Sequence, residues 1–222
     1  LNGQLKRYED KLEDVFSCNI PDVQTPIEMV SFNAESCKAP AVKVARPKVL
    51  IPVFPGTNCE YDSAKAMTDA GAEAEIFVIR NLTADAIASS VEEFANKLKT
   101  AQMVFVPGGF SGGDEPDGSG KFITAFFRNA AVKEQITDLL DNRDGLMLGI
   151  CNGFQALVKL GLVPYGEIRP MDDTCPTLTY NLIGRHQSSY VTTRVASVQS
   201  PWMLKSNVGD LHTIPISHGE GR

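Results

Sequence analysis

The sequence predicts an α/β fold with a doubly wound, mostly parallel sheet flanked by helices, and some antiparallel strands in the C-terminal part. From residue 48 onwards, short apolar runs alternate with longer amphipathic segments, as in sheets whose crossover connections are helices. Turns that contain glycine follow three of the apolar runs. Because ligands in such sheets bind at the carboxyl ends of the strands, we expect the functional site at these turns.

Each predicted element rests on a local pattern. Thr83 is a favoured N-cap residue, and apolar residues recur at helical spacing from Ile87 to Leu98. Gly71 is placed to end the helix predicted over residues 59–70. The predicted strands cover residues 49–54, 75–79, 103–106 and 146–150, and the helices cover 59–70, 84–98, 121–140 and 154–160. Beyond Gly161 we predict strands at 177–183, 190–198 and 211–216.

The composition is that of an ordinary globular protein. The chain has 222 residues, 43% of them hydrophobic and 22% charged, which suffices for one sizeable core. A net charge of −6 without a Lys/Arg cluster argues against nucleic acid as a partner. No apolar run approaches the ~20 residues of a membrane span. The five cysteines are scattered, without a C-x-x-C pair for a metal. We therefore expect a reduced, cytoplasmic protein without a metal site.

Residues 1–45 differ from the rest of the chain. A short charged helix is predicted over residues 5–16, and a weakly patterned stretch with three prolines follows, at Pro21, Pro26 and Pro40. The segment contains too few apolar residues to fold alone. We interpret it as a linker or the tail of a preceding domain, with a second domain over residues 46–222.

A candidate nucleophile lies at the turn after the strand predicted at 146–150. Gly149, Cys151 and Gly153 form a G-x-C-x-G motif, the cysteine version of the nucleophile elbow that joins a strand to a helix. The tight turn leaves no room for a Cβ atom beside the nucleophile, and the helix start favours a thiolate. A cysteine after an apolar strand is more often a small buried hydrophobic residue, so the motif needs a base to count as catalytic.

The end of the chain supplies that base. A strand-like run leads to His218, and Glu220 follows two residues later. A thiol that attacks a carbonyl needs a base to take its proton, and the base needs a partner that fixes its tautomer. Cys151, His218 and Glu220 are therefore the predicted nucleophile, base and orienting acid.

A glycine-rich loop follows the third predicted strand. It lacks the G-K-[ST] ending of a P-loop, and Asp114 and Glu115 would repel a phosphate. We interpret the loop as part of an oxyanion hole. The backbone N–H of Asn152 would be one donor, and an N–H near Gly109 or Phe110 would be the second. A plain glycine-rich connection is the alternative.

Together these motifs resemble the class I, or triad-type, glutamine amidotransferases. More narrowly, the chain is similar to the glutaminase domains of phosphoribosylformylglycinamidine synthases. The resemblance covers residues 48–222 and rests on four motifs in chain order: GTNCE at 56–60, GGFSGGD at 108–114, GICNGFQ at 149–155 and SHGEGR at 217–222.

The resemblance implies the chemistry of a glutaminase. Cys151 would attack the side-chain amide of L-glutamine and form a γ-glutamyl thioester. His218 would be the base, Glu220 would orient it, and Gln155 would lie against the substrate. A helix residue facing solvent is the alternative reading of Gln155. This domain would need no cofactor of its own.

The resemblance also implies a partner. Ammonia would pass to a synthetase domain that uses Mg-ATP to make formylglycinamidine ribonucleotide in purine biosynthesis. The first 45 residues suggest that this synthetase precedes in the same polypeptide, as in the large single-chain form. The chain ends directly after a candidate catalytic motif, so we expect the glutaminase domain to be truncated at its C-terminus.

Some positions depart from the family pattern. The family's N-x-S-x-R-F-E segment corresponds to residues 181–187, where Arg185 is kept but the serine and the glutamate are replaced. We therefore do not expect His186 or Gln187 to bind the substrate. Cys59 matches a family cysteine and is interpreted as a packing residue.

Two other classes of function share parts of this pattern. Cysteine hydrolases that resemble the DJ-1 and PfpI families have a histidine directly after the nucleophile, whereas this chain has Asn152. A non-catalytic module that only docks to a synthetase would predict a broken triad, whereas all three members are present. Both observations favour the amidotransferase.

Overall fold

The computed structural model describes residues 2–15, 28–32, 43–110 and 120–222. The chain divides into two compact units, one formed by residues 40–179 and the other by residues 1–39 with 180–222. None of the helices in the described ranges has the length and apolar character that a membrane crossing requires. Asp114 and Glu115 of the glycine-rich loop lie outside these ranges.

The unit of residues 40–179 is built on a four-stranded parallel sheet. Its strands are β1 (Lys48–Val53), β2 (Glu73–Val78), β3 (Met103–Val106) and β4 (Leu146–Gly149), in the order β2-β1-β3-β4. The connecting helices are α2 (Glu60–Asp69), α3 (Ala84–Leu98), α4 (Lys121–Phe127), α5 (Ala130–Thr137), α6 (Asn152–Leu160) and α7 (Leu162–Tyr165). The strand order reverses between β1 and β3, which is the topological switch point at which such sheets bind ligands.

The core of this unit lies on both faces of the sheet. Because side chains alternate along a strand, Leu50 packs with the residues of α3, α4, α5 and α6, whereas Val49 and Ile51 pack with α2. Phe94 stands edge-on to Phe127 within the larger cluster, with ring centroids 5.9 Å apart. Helices on both faces of a parallel sheet confirm the predicted fold class.

The helix predicted over residues 121–140 is wrong as a single element. It is divided into α4 and α5, followed by a π-helical turn (Asp138–Asn142). The break occurs because Asn129 leaves the helical conformation and its side chain accepts a hydrogen bond from the Ala131 N–H, at 3.0 Å. Asparagine competes for backbone N–H groups in this way, so it caps the second helix instead of continuing the first.

The other unit contains an antiparallel hairpin of β5 (Gln187–Arg194) and β6 (Leu211–His218). Antiparallel strands in the C-terminal part are thus confirmed, although β5 begins and ends earlier than the predicted 190–198. The strand predicted at 177–183 is wrong, because only an isolated bridge between Tyr180 and Glu220 forms there. The chain turns instead, with the Gly184 N–H donating to the Asn181 carbonyl at 2.9 Å.

The N-terminal residues of this unit are partly helical. The helix predicted at 5–16 is found as α1 (Asn2–Glu9) and a 3-10 turn (Asp10–Leu12), and its last predicted residue lies outside the described ranges. Within the segment interpreted as a linker, the Phe32 N–H donates to the Ala196 carbonyl at 2.8 Å. The Arg194 guanidinium donates to the hydroxyl of Ser31 at 3.0 Å and to the carbonyl of Val30. Residues 28–32 therefore hydrogen-bond to the end of β5 and the residues after it.

Candidate active site

Cys151 occupies a sharp turn between β4 and α6. It is the N-cap residue of α6, with φ 52° and ψ −110°, and it is exposed. A positive φ at a residue with a Cβ atom is strained, by roughly 1–3 kcal/mol, and such strain persists only where the surrounding structure imposes it. The turn therefore has the strand-to-helix geometry that the G-x-C-x-G motif predicts, and the role of Cys151 as a nucleophile stays a prediction.

The two glycines of the motif are required by close backbone contacts. A Cβ atom on Gly153 would lie 2.1 Å from the carbonyl oxygen of Val106. One on Gly149 would lie 2.7 Å from the carbonyl oxygen of Gly153. Contacts this short do not occur, so the steric reason given for both glycines is confirmed.

The loops that follow β1 and β3 meet at the switch point. The Asn58 N–H donates to the Gly108 carbonyl at 2.9 Å, and the Phe110 N–H donates to the Gly56 carbonyl at 2.8 Å. Gly109, between them, has φ +124°, and a Cβ atom there would lie 2.4 Å from the Gly56 oxygen. The chain can approach this closely only because that residue is glycine.

This pair of loops lies beside Cys151. A Cβ atom placed on Gly108 would be 3.2 Å from the Cβ of Cys151 and 3.7 Å from the sulfur of Cys59. The structure thus brings the loop and the elbow together, as predicted from their positions after β3 and β4. It also places Cys59 near Cys151, which the sequence did not indicate because the two residues belong to different loops.

The candidate oxyanion donors differ in their hydrogen bonds. The Phe110 N–H is engaged by Gly56, whereas no acceptor for the Gly109 N–H is found in the described part of the chain. Asn152 is the first residue of α6, so its N–H lies at the amino end of that helix. The geometry therefore favours Gly109 over Phe110 as the partner of Asn152, and the oxyanion role of these residues stays a prediction.

Gln155 is buried in the first turns of α6, with only 7% of its surface exposed. The Asn152 side-chain amide donates to its Oε1 at 3.4 Å. The alternative of a helix residue facing solvent is therefore wrong. The predicted contact with substrate stays a prediction.

His218 is the last residue of β6, in the unit that contains residues 180–222. Its Nδ1 lies 2.9 Å from the Oδ1 of Asn181. The Asn181 amide nitrogen donates to the carbonyls of His218, at 2.8 Å, and Arg185, at 3.0 Å. A contact between Asn181 and His218 is not predicted from the sequence, in which residues 181–187 are only matched to the family's N-x-S-x-R-F-E segment.

Glu220 lies close by in the same unit. Its side chain is buried, with 8% of its surface exposed, and its backbone pairs with Tyr180. Its role as the acid that orients His218 stays a prediction, because the hydrogen bond described at Nδ1 is the one with Asn181. The neighbouring His186 has a different partner, since its Nε2 lies 2.9 Å from the hydroxyl of Ser217.

The predicted site residues are thus distributed over both units. Cys151, Asn152, Gln155, Gly109 and Phe110 belong to the unit of residues 40–179. His218 and Glu220 belong to the other. Within the described ranges, no group of three or more His, Cys, Asp or Glu side chains is placed to hold a metal ion.

Comparison with known proteins identifies the family. Residues 46–222 match the CobB/CobQ-like glutamine amidotransferase domain. The chain belongs to this family. The amidotransferase match begins at the boundary that the sequence predicts for the second domain, and it spans the elbow, the glycine-rich loop and the H-x-E pair.

Several relatives of this amidotransferase domain are phosphoribosylformylglycinamidine synthase subunits PurQ. The one from Dehalococcoides mccartyi is 35% identical over 180 residues, which are 81% of this chain and 64% of the relative. The one from Symbiobacterium thermophilum is 34% identical over 169 residues, which are 76% and 59%. The chain therefore spans about three-fifths of the length of these relatives.

Among solved structures, PurLQS from Thermotoga maritima is similar, with a TM-score of 0.57 and 25% identity over 80% of this chain and 68% of that one. This similarity agrees with the class I amidotransferase fold. The PurQ relatives are separate subunits, so the large single-chain form of the amidotransferase stays a prediction.

Proposed function

We propose that the chain is the glutaminase domain of a phosphoribosylformylglycinamidine synthase. The observation that carries the proposal is the elbow, where Cys151 is exposed at φ 52° at the amino end of α6. A strained turn of this kind presents a nucleophile to a substrate. The identity to PurQ subunits supports glutamine as that substrate.

In the proposed reaction, the Cys151 thiolate attacks the side-chain amide carbon of L-glutamine. The carbonyl oxygen becomes an oxyanion, and the N–H groups of Asn152 and Gly109 would stabilise it. One such donor typically lowers the barrier by about 3 kcal/mol. The C–N bond then breaks, and His218 gives its proton to the departing nitrogen. Ammonia is released, and a γ-glutamyl thioester remains on the cysteine.

Water completes the cycle. His218 takes a proton from the water as it attacks the thioester carbonyl, and the C–S bond breaks to release glutamate and regenerate the cysteine. Glu220 would orient His218, and Gln155 would contact the bound substrate. None of these steps needs a cofactor in this domain.

The ammonia would be used by a synthetase that requires Mg-ATP and makes formylglycinamidine ribonucleotide in purine biosynthesis. We propose that this synthetase is part of the same polypeptide. The names of the relatives support the pathway, and the different character of residues 1–45 supports the fusion. A cytoplasmic location belongs to the same proposal.

The test is covalent labelling with a glutamine-mimicking diazoketone, followed by intact mass measurement and peptide mapping. We expect a single adduct on Cys151, blocked by excess L-glutamine and absent from Cys151→Ala. Cys59→Ala is the matched control, because Cys59 lies beside the same loop and should not be needed for labelling. Scattered adducts, or none on a folded chain, would contradict the proposal and favour a docking module without catalysis.

A further inference from the structure

We infer that Asn181 is the positioning residue that fixes the tautomer of His218. It accepts the Nδ1–H proton and leaves Nε2 with the lone pair that a base requires. The observation is the 2.9 Å contact between His218 Nδ1 and Asn181 Oδ1. The catalytic consequence rests on the proposed function, whereas the tautomer itself does not.

The orientation of the Asn181 amide is determined by its other contacts. Its Nδ2 donates to two backbone carbonyls, those of His218 at 2.8 Å and Arg185 at 3.0 Å. A flipped amide would place its oxygen against both carbonyl oxygens, and none of these three atoms can donate a hydrogen bond. The amide oxygen must therefore face the imidazole ring.

The orientation of the amide in turn determines the state of the ring. An amide oxygen only accepts hydrogen bonds, so the ring nitrogen that it contacts must carry the proton. A neutral imidazole with its proton on Nδ1 has its lone pair on Nε2. This is the form in which His218 can take a proton from a thiol or a water molecule.

Asn181 itself is held in place by the backbone. Its N–H donates to the Gly219 carbonyl at 2.9 Å, and its carbonyl accepts from the Gly184 N–H at 2.9 Å. The residue is buried, with 8% of its surface exposed. A side chain fixed in this way can hold the ring without losing much conformational entropy at each turnover.

The inference assigns only the tautomer of His218 to an amide. The proposed role of Glu220 is then limited to the orientation of the histidine. An amide is neutral and cannot remove the Nδ1 proton from the ring. Asn181 can therefore select the tautomer without becoming protonated itself. The Cys-His-Asn arrangement of other cysteine hydrolases shows that such a partner suffices. Glu220 is then not required for the tautomer, and this difference makes the inference testable.

The first measurement is the ¹⁵N chemical shift of the ring nitrogens in the uncomplexed protein, at a pH where the rings are neutral. The chain has three histidines, so assignment is direct. We expect the His218 Nδ1 to be protonated in the wild-type protein and in Glu220→Gln. We expect Asn181→Leu to move the proton largely to Nε2. Ser217→Ala is the matched control, because it removes the partner of His186 and should leave the His218 shifts unchanged.

The second measurement separates positioning from binding. For glutamine hydrolysis, Asn181→Leu should lower kcat by roughly 10²–10⁴-fold, the usual contribution of general acid–base catalysis, with KM little changed. Thermal unfolding of the variant shows whether it is folded. An Nε2–H tautomer in the wild-type protein would overturn the inference even if Asn181→Leu does not fold, and so would a tautomer that changes in Glu220→Gln alone.

These outcomes distinguish the two proposals. If the tautomer follows Asn181 but Cys151 is not labelled by the diazoketone, the proposed glutaminase fails and the inference about the ring stands. If Cys151 is labelled but the tautomer does not depend on Asn181, the glutaminase stands and the inference fails.

Discussion

Gly153 rests directly on the carbonyl oxygen of Val106. A Cβ atom on this glycine would lie 2.1 Å from that oxygen and 2.8 Å from the carbonyl oxygen of Pro107. The first turn of α6 therefore packs directly against the end of β3. This contact sets the position of Cys151 beside the glycine-rich loop.

We expect Gly153→Ala to destabilise the protein by about 1–3 kcal/mol, the usual cost of overpacking, and to abolish diazoketone labelling of Cys151. Alanine is more favourable than glycine in a helix by about 1 kcal/mol, so helix propensity alone predicts that Gly153→Ala stabilises the protein. Chemical denaturation measures the free energy of unfolding. The control is Gly219→Ala, since a Cβ atom on Gly219 meets nothing within 4 Å. An equally or more stable Gly153→Ala protein would show that α6 does not rest on β3 in this way.

A second prediction concerns Gly221, which lies against the imidazole of His218. A Cβ atom on Gly221 would be 2.2 Å from the ring Cε1 and 2.4 Å from Nδ1. Since a side chain can move more easily than backbone, Gly221→Ala should displace the ring, lower kcat for glutamine hydrolysis at least about tenfold, and leave the melting temperature nearly unchanged. Gly219→Ala again serves as the control. The same loss of kcat in both variants would point to the flexibility of this segment instead of the ring contact.

A third prediction tests the N-cap of α3. The Thr83 hydroxyl accepts a hydrogen bond from the Ala86 N–H at 3.1 Å. Thr83→Ala should therefore cost about 1 kcal/mol of unfolding free energy, measured by denaturant titration. Thr100→Ala is the same change just beyond the other end of this helix, where the hydroxyl only donates to the Lys97 carbonyl. It should have a clearly smaller effect, and equal losses in the two variants would contradict a specific capping contribution.

A fourth prediction concerns the pH dependence of the loop after α7. The pKa of Asp172 lies below its ordinary value of 3.8, because its carboxylate accepts hydrogen bonds from the Thr174 hydroxyl, at 2.6 Å, and the Thr174 N–H, at 2.9 Å. A lowered pKa means that the stabilisation is present above pH 3.8 and is lost as the pH falls through the lower, folded-state value.

Thr174→Val removes the hydroxyl and keeps the backbone donor, so the pKa of Asp172 should rise towards its ordinary value. A ¹³C NMR titration of the carboxyl carbon measures this shift. Thr179→Val in the same segment is the control and should leave the titration unchanged. An unchanged pKa in Thr174→Val would show that the hydroxyl is not the dominant cause.

The parts of the fold that were predicted well depend on short-range patterns. Strand β3 and helix α3, with its cap at Thr83, occur at the predicted residues, because side-chain periodicity and capping involve neighbours in the sequence. The helix over 121–140 was predicted too long, because Asn129 can continue a helix or cap the next one. Local pattern does not choose between these two states.

The same distinction applies to the candidate site. The elbow at Cys151 could be predicted from the sequence because its two glycines and the cysteine lie within five residues. The strand predicted at 177–183 does not form, because the hydrogen-bond partners of Asn181 are not arranged along a neighbouring strand. Its amide and backbone are engaged by Arg185, His218 and Gly219, and a turn satisfies these groups better than a strand does.

The sequence by itself determined how strands and helices alternate along the chain of the sheet-containing unit. It also determined the elbow and the candidate nucleophile and base, since each follows from spacing and from the steric needs of adjacent residues. Only the tertiary structure decided which groups meet across the chain. The loops after β1 and β3 meet because these two strands are neighbours in the sheet, although they are not consecutive in the sequence. Asn181 reaches His218, 37 residues away, because its backbone is bound to the segment that follows β6. Such contacts depend on strand order and register, and these are properties of the folded chain that no short stretch of sequence contains.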